Sequence, residues 1–246
     1  MTTTTIDGDK QAGSSADKPI IDASGLRRHV GEQVLVDNVS VSIHGGDRIS
    51  IVGPTGSGKT VLLRALAMLD PLDAGRILWR GKPIRGNSIP TFRSRVMYVH
   101  QRPALIEGSI EDNLRQPFTL KVHAGKWFDR DRIVELLGTL GREASFLAKH
   151  QRDISGGEAQ LTALLRSIQL EPDVLLLDEP TAALDAKATA TVEKLVSHWL
   201  AEKPSTRAMA WVTHDLEQSE RIATTVLKIQ KGSLSFSSGV DHGRLR

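Results

Sequence analysis

Between Gly53 and Thr60 the sequence reads GPTGSGKT: Gly53, the four residues Pro54, Thr55, Gly56 and Ser57, then Gly58, Lys59 and Thr60. That spacing suits a turn wrapped around a chain of phosphates. Glycines let backbone N–H groups approach anionic oxygens, and a following helix turns its positive end toward them. Lys59 would reach the β and γ phosphates, and the Thr60 hydroxyl could ligate Mg²⁺. A glycine-rich turn without a ligand is the competing reading. The context weighs against it, because an apolar run (RISIVG) enters the motif, while Val61, Leu62, Ala65, Leu66 and Leu69 recur at helical spacing beyond it.

Two further stretches could share this chemistry. In DVLLLDEP, a short apolar run carries Asp178 to a strand end with Glu179 directly after it. One carboxylate could hold a metal and its neighbour a water molecule, although two acids after a strand can equally cap the next helix. In ISGGEAQLTALLRSIQL, Ser155, Gly156 and Gly157 open an amphipathic helix on which Leu161, Leu164, Leu165 and Ile168 share a face. Bare N–H groups, a hydroxyl and the helix dipole would make an anion site there. Ser155 as N-cap with Glu158 three residues on is also an ordinary capping box.

The elements that must position these groups alternate. RISIVG, DVLLLDE and AMAWVTH are apolar runs typical of parallel core strands, while QVLVDNVSVSI alternates like a half-buried antiparallel strand. Helical patterns lie between them, so the expected class is α/β, with ligands at the carboxyl ends of the strands, where Gly53, Asp178 and Thr213-His214 stand. Residues from about Pro103 onward break the rhythm and read as a helical insert, including a helix near REASFLAKH, and TVLKIQKGSLSFSSG reads as two strands joined at Lys231-Gly232. Residues 1–19 are polar, with almost nothing to bury, and are expected to be a disordered leader. Residues 20–240 form the expected domain, with a helical subdomain over about 103–165, and 241–246 a short tail.

Composition narrows the functional classes. With 32 Lys and Arg against 29 Asp and Glu, the chain gives no electrostatic reason to expect nucleic acid as a partner. There is no cysteine, which removes disulfides, thiolate metal sites and cysteine nucleophiles together. No apolar run approaches the ~20 residues needed to cross a bilayer, so no direct membrane insertion is expected. Trp127, Trp211 and the eight histidines are scattered without ligand spacing, so no metal besides Mg²⁺ is assigned.

GPTGSGKT, Gln101, ISGGE, LLLDEP, AALD and His214, in this order, resemble the nucleotide-binding subunit of ABC transporters over nearly everything from about Ile20 to Gly239. The resemblance implies a P-loop ATPase of ABC type, with a RecA-like, mostly parallel sheet, an antiparallel β subdomain and a helical subdomain. It implies ATP and Mg²⁺ as cofactors, with Thr60, Gln101 and Asp178 toward the metal. In that family two ATPase domains meet head to tail, so Ser155, Gly156 and Gly157 of one copy would cover the γ-phosphate held by Lys59 of the other. Asp185 would lie at the seam, Glu179 would polarise the attacking water, Gln101 would sense metal and water, and His214 would contact the γ-phosphate. A histidine there could otherwise cap a helix. The implied partners are a second ATPase copy and a separate transmembrane permease, which would place the chain in the cytoplasm on the inner face of the cell membrane.

The chain also departs from the family. RRHVGEQ offers only His29 or Val30 where an aromatic ring usually stacks on adenine, Val61 follows Lys59-Thr60 where a threonine is usual, and Glu158 stands where glutamine is commonest. The stretch RPALIEGSIEDNL after Gln101 resembles exporters more than importers, and the whole resembles small bacterial ABC ATPases of the iron-export type. The rival readings are a soluble ABC-type ATPase outside transport and a nucleotide switch without turnover.

Overall fold

The computed structural model describes residues 18–237, so the leader expected over 1–19 falls almost wholly outside the described residues, as does the tail over 241–246. Ten strands and seven α-helices follow in order: β1 (Ile21–Val30), β2 (Gln33–Ile43), β3 (Arg48–Val52), α1 (Lys59–Leu66), β4 (Ala74–Trp79), β5 (Lys82–Pro83), α2 (Ile89–Arg95), β6 (Val96–Val99), α3 (Ile110–Arg115), α4 (Arg130–Thr139), α5 (Gly156–Ile168), β7 (Val174–Asp178), α6 (Ala186–Glu202), β8 (Ala208–Val212), α7 (Leu216–Ile222), β9 (Thr225–Gln230) and β10 (Ser233–Ser237).

Six strands form the central sheet in the order β10-β9-β3-β8-β7-β6, parallel throughout except for the β9–β10 hairpin at one edge. The apolar runs follow from burial on both faces. Val174, Leu176, Ala208, Ala210 and Val212 face α1 and a second, antiparallel sheet of order β2-β1-β4-β5. Leu175, Leu177, Met209 and Trp211, the alternate residues, face the layer that contains α5 and α6. Because β3, β8 and β7 are parallel neighbours, their carboxyl ends set Gly53, Thr213 and Glu179 side by side.

Local details refine the sequence reading. In β2 the buried residues are Val36, Val39, Val41 and Ile43; an irregularity at Asn38, which has φ 50°, turns Val36 inward in place of Asp37. Lys231 and Gly232 both take positive φ, as a two-residue hairpin turn requires, and the turn packs on the phosphate loop through Gly232 N–H to Ser57 O at 3.1 Å. Leu69 is exposed beyond the end of α1, and Leu63 takes the buried place instead. The helix expected near REASFLAKH is only a 3₁₀ turn, Ala144–Ala148. Its neighbours Lys149 and His150 are held extended, by Ile110 N–H to Lys149 O at 2.9 Å and by the Ser109–His150 bridge, and this stops an α-helix from continuing. No helix among the described residues is long and apolar enough to cross a membrane.

Candidate functional site

The chain leaves β3 through a loop that other side chains could not enter. At Gly58, with φ 103°, an added Cβ would lie 2.0 Å from Leu35 O, and at Gly53 it would lie 2.2 Å from Ile229 O. Close backbone approach and positive φ therefore both demand glycine. The loop ends on α1, whose first residue, Lys59, is buried and donates from Nζ to Gly53 O (2.8 Å) and Pro54 O (2.9 Å). Burial lowers its pKa, opposed by the charges of Glu179 and Asp178. The Ser57 hydroxyl is buried in this loop without a protein partner, as suits a group waiting on a polar ligand such as phosphate.

Across the sheet edge, Thr60 donates from Oγ1 to Asp178 Oδ1 at 3.0 Å, so the hydroxyl and the carboxylate meet although 118 residues separate them. Asp178 Oδ2 accepts from the Tyr98 hydroxyl at 2.7 Å, and burial together with this contact raises the Tyr98 pKa. A hydroxyl and a carboxylate at one point form an all-oxygen donor set that fits Mg²⁺, which takes one or two carboxylates and completes its shell with phosphates and water. Among the described residues no cluster of three or more His, Cys, Asp or Glu competes for a metal.

Glu179 is the hub of the next layer. Its Oε2 accepts from Gln101 Nε2 at 3.0 Å, and its Oε1 is paired with His214 Nε2. Its φ of 45° is a left-handed conformation that glutamate rarely adopts, and such strain concentrates where a side chain must be aimed. Glu179 does not cap α6, which is capped by Asp185 (Oδ1 to Ala188 N, 2.7 Å). His214 does not cap α7, which is capped by Asp215. The capping alternatives for these two residues are thereby removed.

Two residues here went unnoticed in the sequence. Tyr98 lies on β6, a four-residue apolar run ending just before Gln101, whose brevity hid it. Gln218, on α7 and 2% exposed, accepts at Oε1 from Thr213 Oγ1 (2.7 Å) and donates from Nε2 to Thr181 Oγ1 (3.0 Å) and Glu193 Oε1 (2.8 Å). The acceptor-only Glu193 fixes the orientation of the amide. Gln218 thus ties the segment before His214 to the segment that runs from Glu179 to Asp185.

The third predicted group assembles elsewhere. Ser155 is the N-cap of α5, its Oγ accepting from Glu158 N at 3.2 Å while Glu158 Oε2 accepts from Ser155 N at 3.1 Å, so the capping box is formed. A Cβ on Gly157 would press on Ala188 at 3.1 Å and Leu184 at 3.5 Å, whereas one on Gly156 would meet nothing within 4 Å. Ser155, Gly157 and Asp185 line one cavity with Arg142 and Lys187, and no residue of the phosphate loop lines it. The structure therefore gathers Lys59, Thr60, Asp178, Gln101, Glu179 and His214 into one cluster and Ser155, Gly157 and Asp185 into another. Of the two residues at the expected adenine position, Val30 is exposed, and His29 is tied to Asp73 Oδ2 through its backbone N–H (2.5 Å) and its ring (3.2 Å).

The chain is similar to known proteins. Residues 36–182 match the family model described as ABC transporter. The chain is 36% identical over 231 residues to the phosphate import ATP-binding protein PstB of Thermotoga maritima, covering 88% of this chain and 89% of that one. It is 30% identical over 200 residues to the probable iron export ATP-binding protein FetA of Escherichia coli, covering 81% and 87%. Other relatives are longer, and the chain spans as little as 59% of their length. Its fold resembles that of the ATP-binding cassette MJ0796, solved as a dimer bound to ADP and Pi, with a TM-score of 0.76 and 23% identity over 89% of this chain and all of that one. A family match across most of the described residues, together with the phosphate loop and the carboxylates gathered at the strand ends, establishes that this chain belongs to the ABC transporter family, as one of its ATPase domains.

Proposed function

We propose that the chain is the ATP-hydrolysing subunit of a membrane transporter, that two copies pair head to tail around two nucleotides, and that a separate permease holds the pair on the inner face of the membrane. The observation that supports this best is the convergence of Lys59, Thr60, Asp178, Gln101, Glu179 and His214 at adjoining strand ends, while Ser155 and Gly157 line a separate cavity with no residue of the phosphate loop in it. A second copy supplies what each lacks.

In this reading backbone N–H groups of Gly53–Thr60 and the Lys59 ammonium hold the β and γ phosphates. Thr60, Asp178 and Gln101 would hold Mg²⁺, which when bound would neutralise phosphate charge. Glu179 accepts the proton of the attacking water, Gln101 orients that water, and His214 bears on the γ-phosphate, so catalysis rests on positioning and charge with no covalent enzyme intermediate.

The test is Glu179→Gln. ATP hydrolysis is expected to fall by about 100-fold or more while ATP binding persists, and gel filtration at saturating Mg-ATP is expected to show a dimer, since unhydrolysed nucleotide keeps both sites closed. Equal background rates for both proteins would support the nucleotide switch, and a monomer at saturating Mg-ATP would count against the pair.

For the cargo we propose export of a metal ion of the iron type, supported by the stretch after Gln101 and by the likeness to FetA. The greater identity to PstB favours import of an anion as the second reading. Radiolabelled iron or phosphate flux in inverted vesicles, with the permease co-expressed, separates the two.

A further inference from the structure

Glu158 places a carboxylate in the first turn of α5, beside the N–H groups that the proposed pairing turns toward a phosphate. Such a charge suits the helix dipole but opposes any second anion at the same end. The structure answers it with two cations. Glu158 Oε1 accepts from Arg142 Nη1 at 2.9 Å and from Lys149 Nζ at 2.8 Å, while Oε2 caps Ser155 N. Both cations come from the segment just before α5 and flank the Phe146 ring, at 5.8 and 5.9 Å from its centroid. Neither pairs with another carboxylate among the described residues. Burial pushes the Glu158 pKa up, but hydrogen bonds from Lys149 and Ser155 and the charges of Lys149 and Arg142 prevail and hold it below the usual carboxylate range.

One cation would neutralise Glu158. With Asp185 and Lys187 of the same cavity offsetting each other, two leave the turn with a net positive charge, which a helix cap does not need and a phosphate does. Arg142 also lines the cavity that holds Ser155, Gly157 and Asp185. We propose that Arg142 and Lys149 are positioning residues for ATP hydrolysis, acting through Glu158 to keep the Ser155-Gly156-Gly157 turn receptive to the terminal phosphate of a nucleotide bound by a second copy of this chain. This rests on the head-to-tail pairing proposed above.

The experiment follows specific ATPase activity against protein concentration at saturating Mg-ATP, and binding of a fluorescent ATP analogue to dilute protein. It compares wild type, the double variant Arg142→Gln/Lys149→Gln and that double variant with Glu158→Gln added. The double variant is expected to need at least about tenfold more protein for half-maximal activity, a loss of about 1.4 kcal/mol in pairing, with analogue binding unchanged. Adding Glu158→Gln is expected to bring the requirement back to within about twofold of wild type, a rescue that lost packing would not give. A double variant that behaves like wild type, or a triple variant as poor as the double, overturns the proposal. Wild-type activity per chain that is independent of protein concentration would instead sink the pairing itself. If the double variant does not fold, Lys149→Gln alone is expected to shift the requirement about threefold in the same direction, and no shift overturns the proposal.

Discussion

At the phosphate loop all the reacting groups but Lys59, which its own loop carbonyls hold, are held by partners from distant parts of the chain: Thr60 by Asp178, Asp178 by Tyr98, Glu179 by Gln101 and His214. At the turn opening α5 the contacts are local, closed within Arg142–Glu158 and against α6. The first region is fixed by the fold of one chain. The second is a well-capped helix in which Gly156 has open space at its Cβ and no positive φ, so the fold of the chain does not itself require glycine there. In the proposed pair it is the second copy's nucleotide that approaches there.

Gly156→Ala tests that difference most directly. Its φ is not positive and its Cβ would meet nothing, so alanine at the helix start should leave thermal stability unchanged or raise it by up to about 1 kcal/mol. Hydrolysis is nevertheless expected to drop about tenfold, because in the proposed pair the new methyl group would stand where the second copy's nucleotide comes close. Melting curves and steady-state rates on the same preparation check it. Unchanged rates would return Gly156 to the role of an ordinary helix start.

The same contrast explains what was legible in the sequence. Local motifs could be read directly: GPTGSGKT with its strand and helix, the Ser155 capping box, and the apolar runs of β3, β7 and β8. Contacts across the sequence could not. Nothing near Tyr98 signals that its hydroxyl meets a carboxylate 80 residues away, and Gln218 looks like a surface glutamine of a seven-residue helix until the sheet brings Thr181, Thr213 and Glu193 around it. REASFLAKH failed for the same reason, since long-range pairing at Lys149 and His150 overrode a locally acceptable helix.

Gln218→Leu should break the phosphate-loop side without touching nucleotide. It leaves the Thr181 hydroxyl without its partner and the Thr213 O–H without an acceptor, although Thr213 Oγ1 still accepts from Asp215 N and Glu193 Oε1 from Arg221, and is expected to cost about 2 kcal/mol of stability. With the segments bearing His214 and Asp185 no longer tied together, kcat should fall more than KM rises. Chemical denaturation and steady-state kinetics measure the two effects. A milder cut is Tyr98→Phe, which removes one hydrogen bond, about 1 kcal/mol, from Asp178 Oδ2. The expected result is a few-fold increase in the Mg²⁺ concentration needed for half-maximal protection against limited proteolysis in the presence of ATP, with ATP binding in EDTA unaltered.

The smallest effect is expected behind the helical layer, where Glu171 gathers Arg132 of α4, Lys203 and the buried Arg207. Burial pushes its pKa up, yet the hydrogen bonds from Lys203 and Arg132 and the charge of Arg207 outweigh burial and hold it at about 2, against an ordinary 4.5. A carboxylate whose folded pKa lies below its unfolded one binds protons more readily in the unfolded chain. Its stabilisation is therefore complete above about pH 4.5 and disappears as pH falls through about 2. Partial exposure and salt screening keep the contribution modest, so Glu171→Gln is expected to lower the melting temperature by about 2 to 4 °C at pH 7. The mutant and wild-type curves should converge as the buffer approaches pH 2. Because this cluster joins α4 to the end of α6, acid should loosen the helical side, and with it the support of the α5 turn, before the central sheet opens. Hydrogen exchange at pH 3 distinguishes the two regions: faster exchange in α4 than in β7 fits this order, and equal rates would mean that both regions open as a single unit.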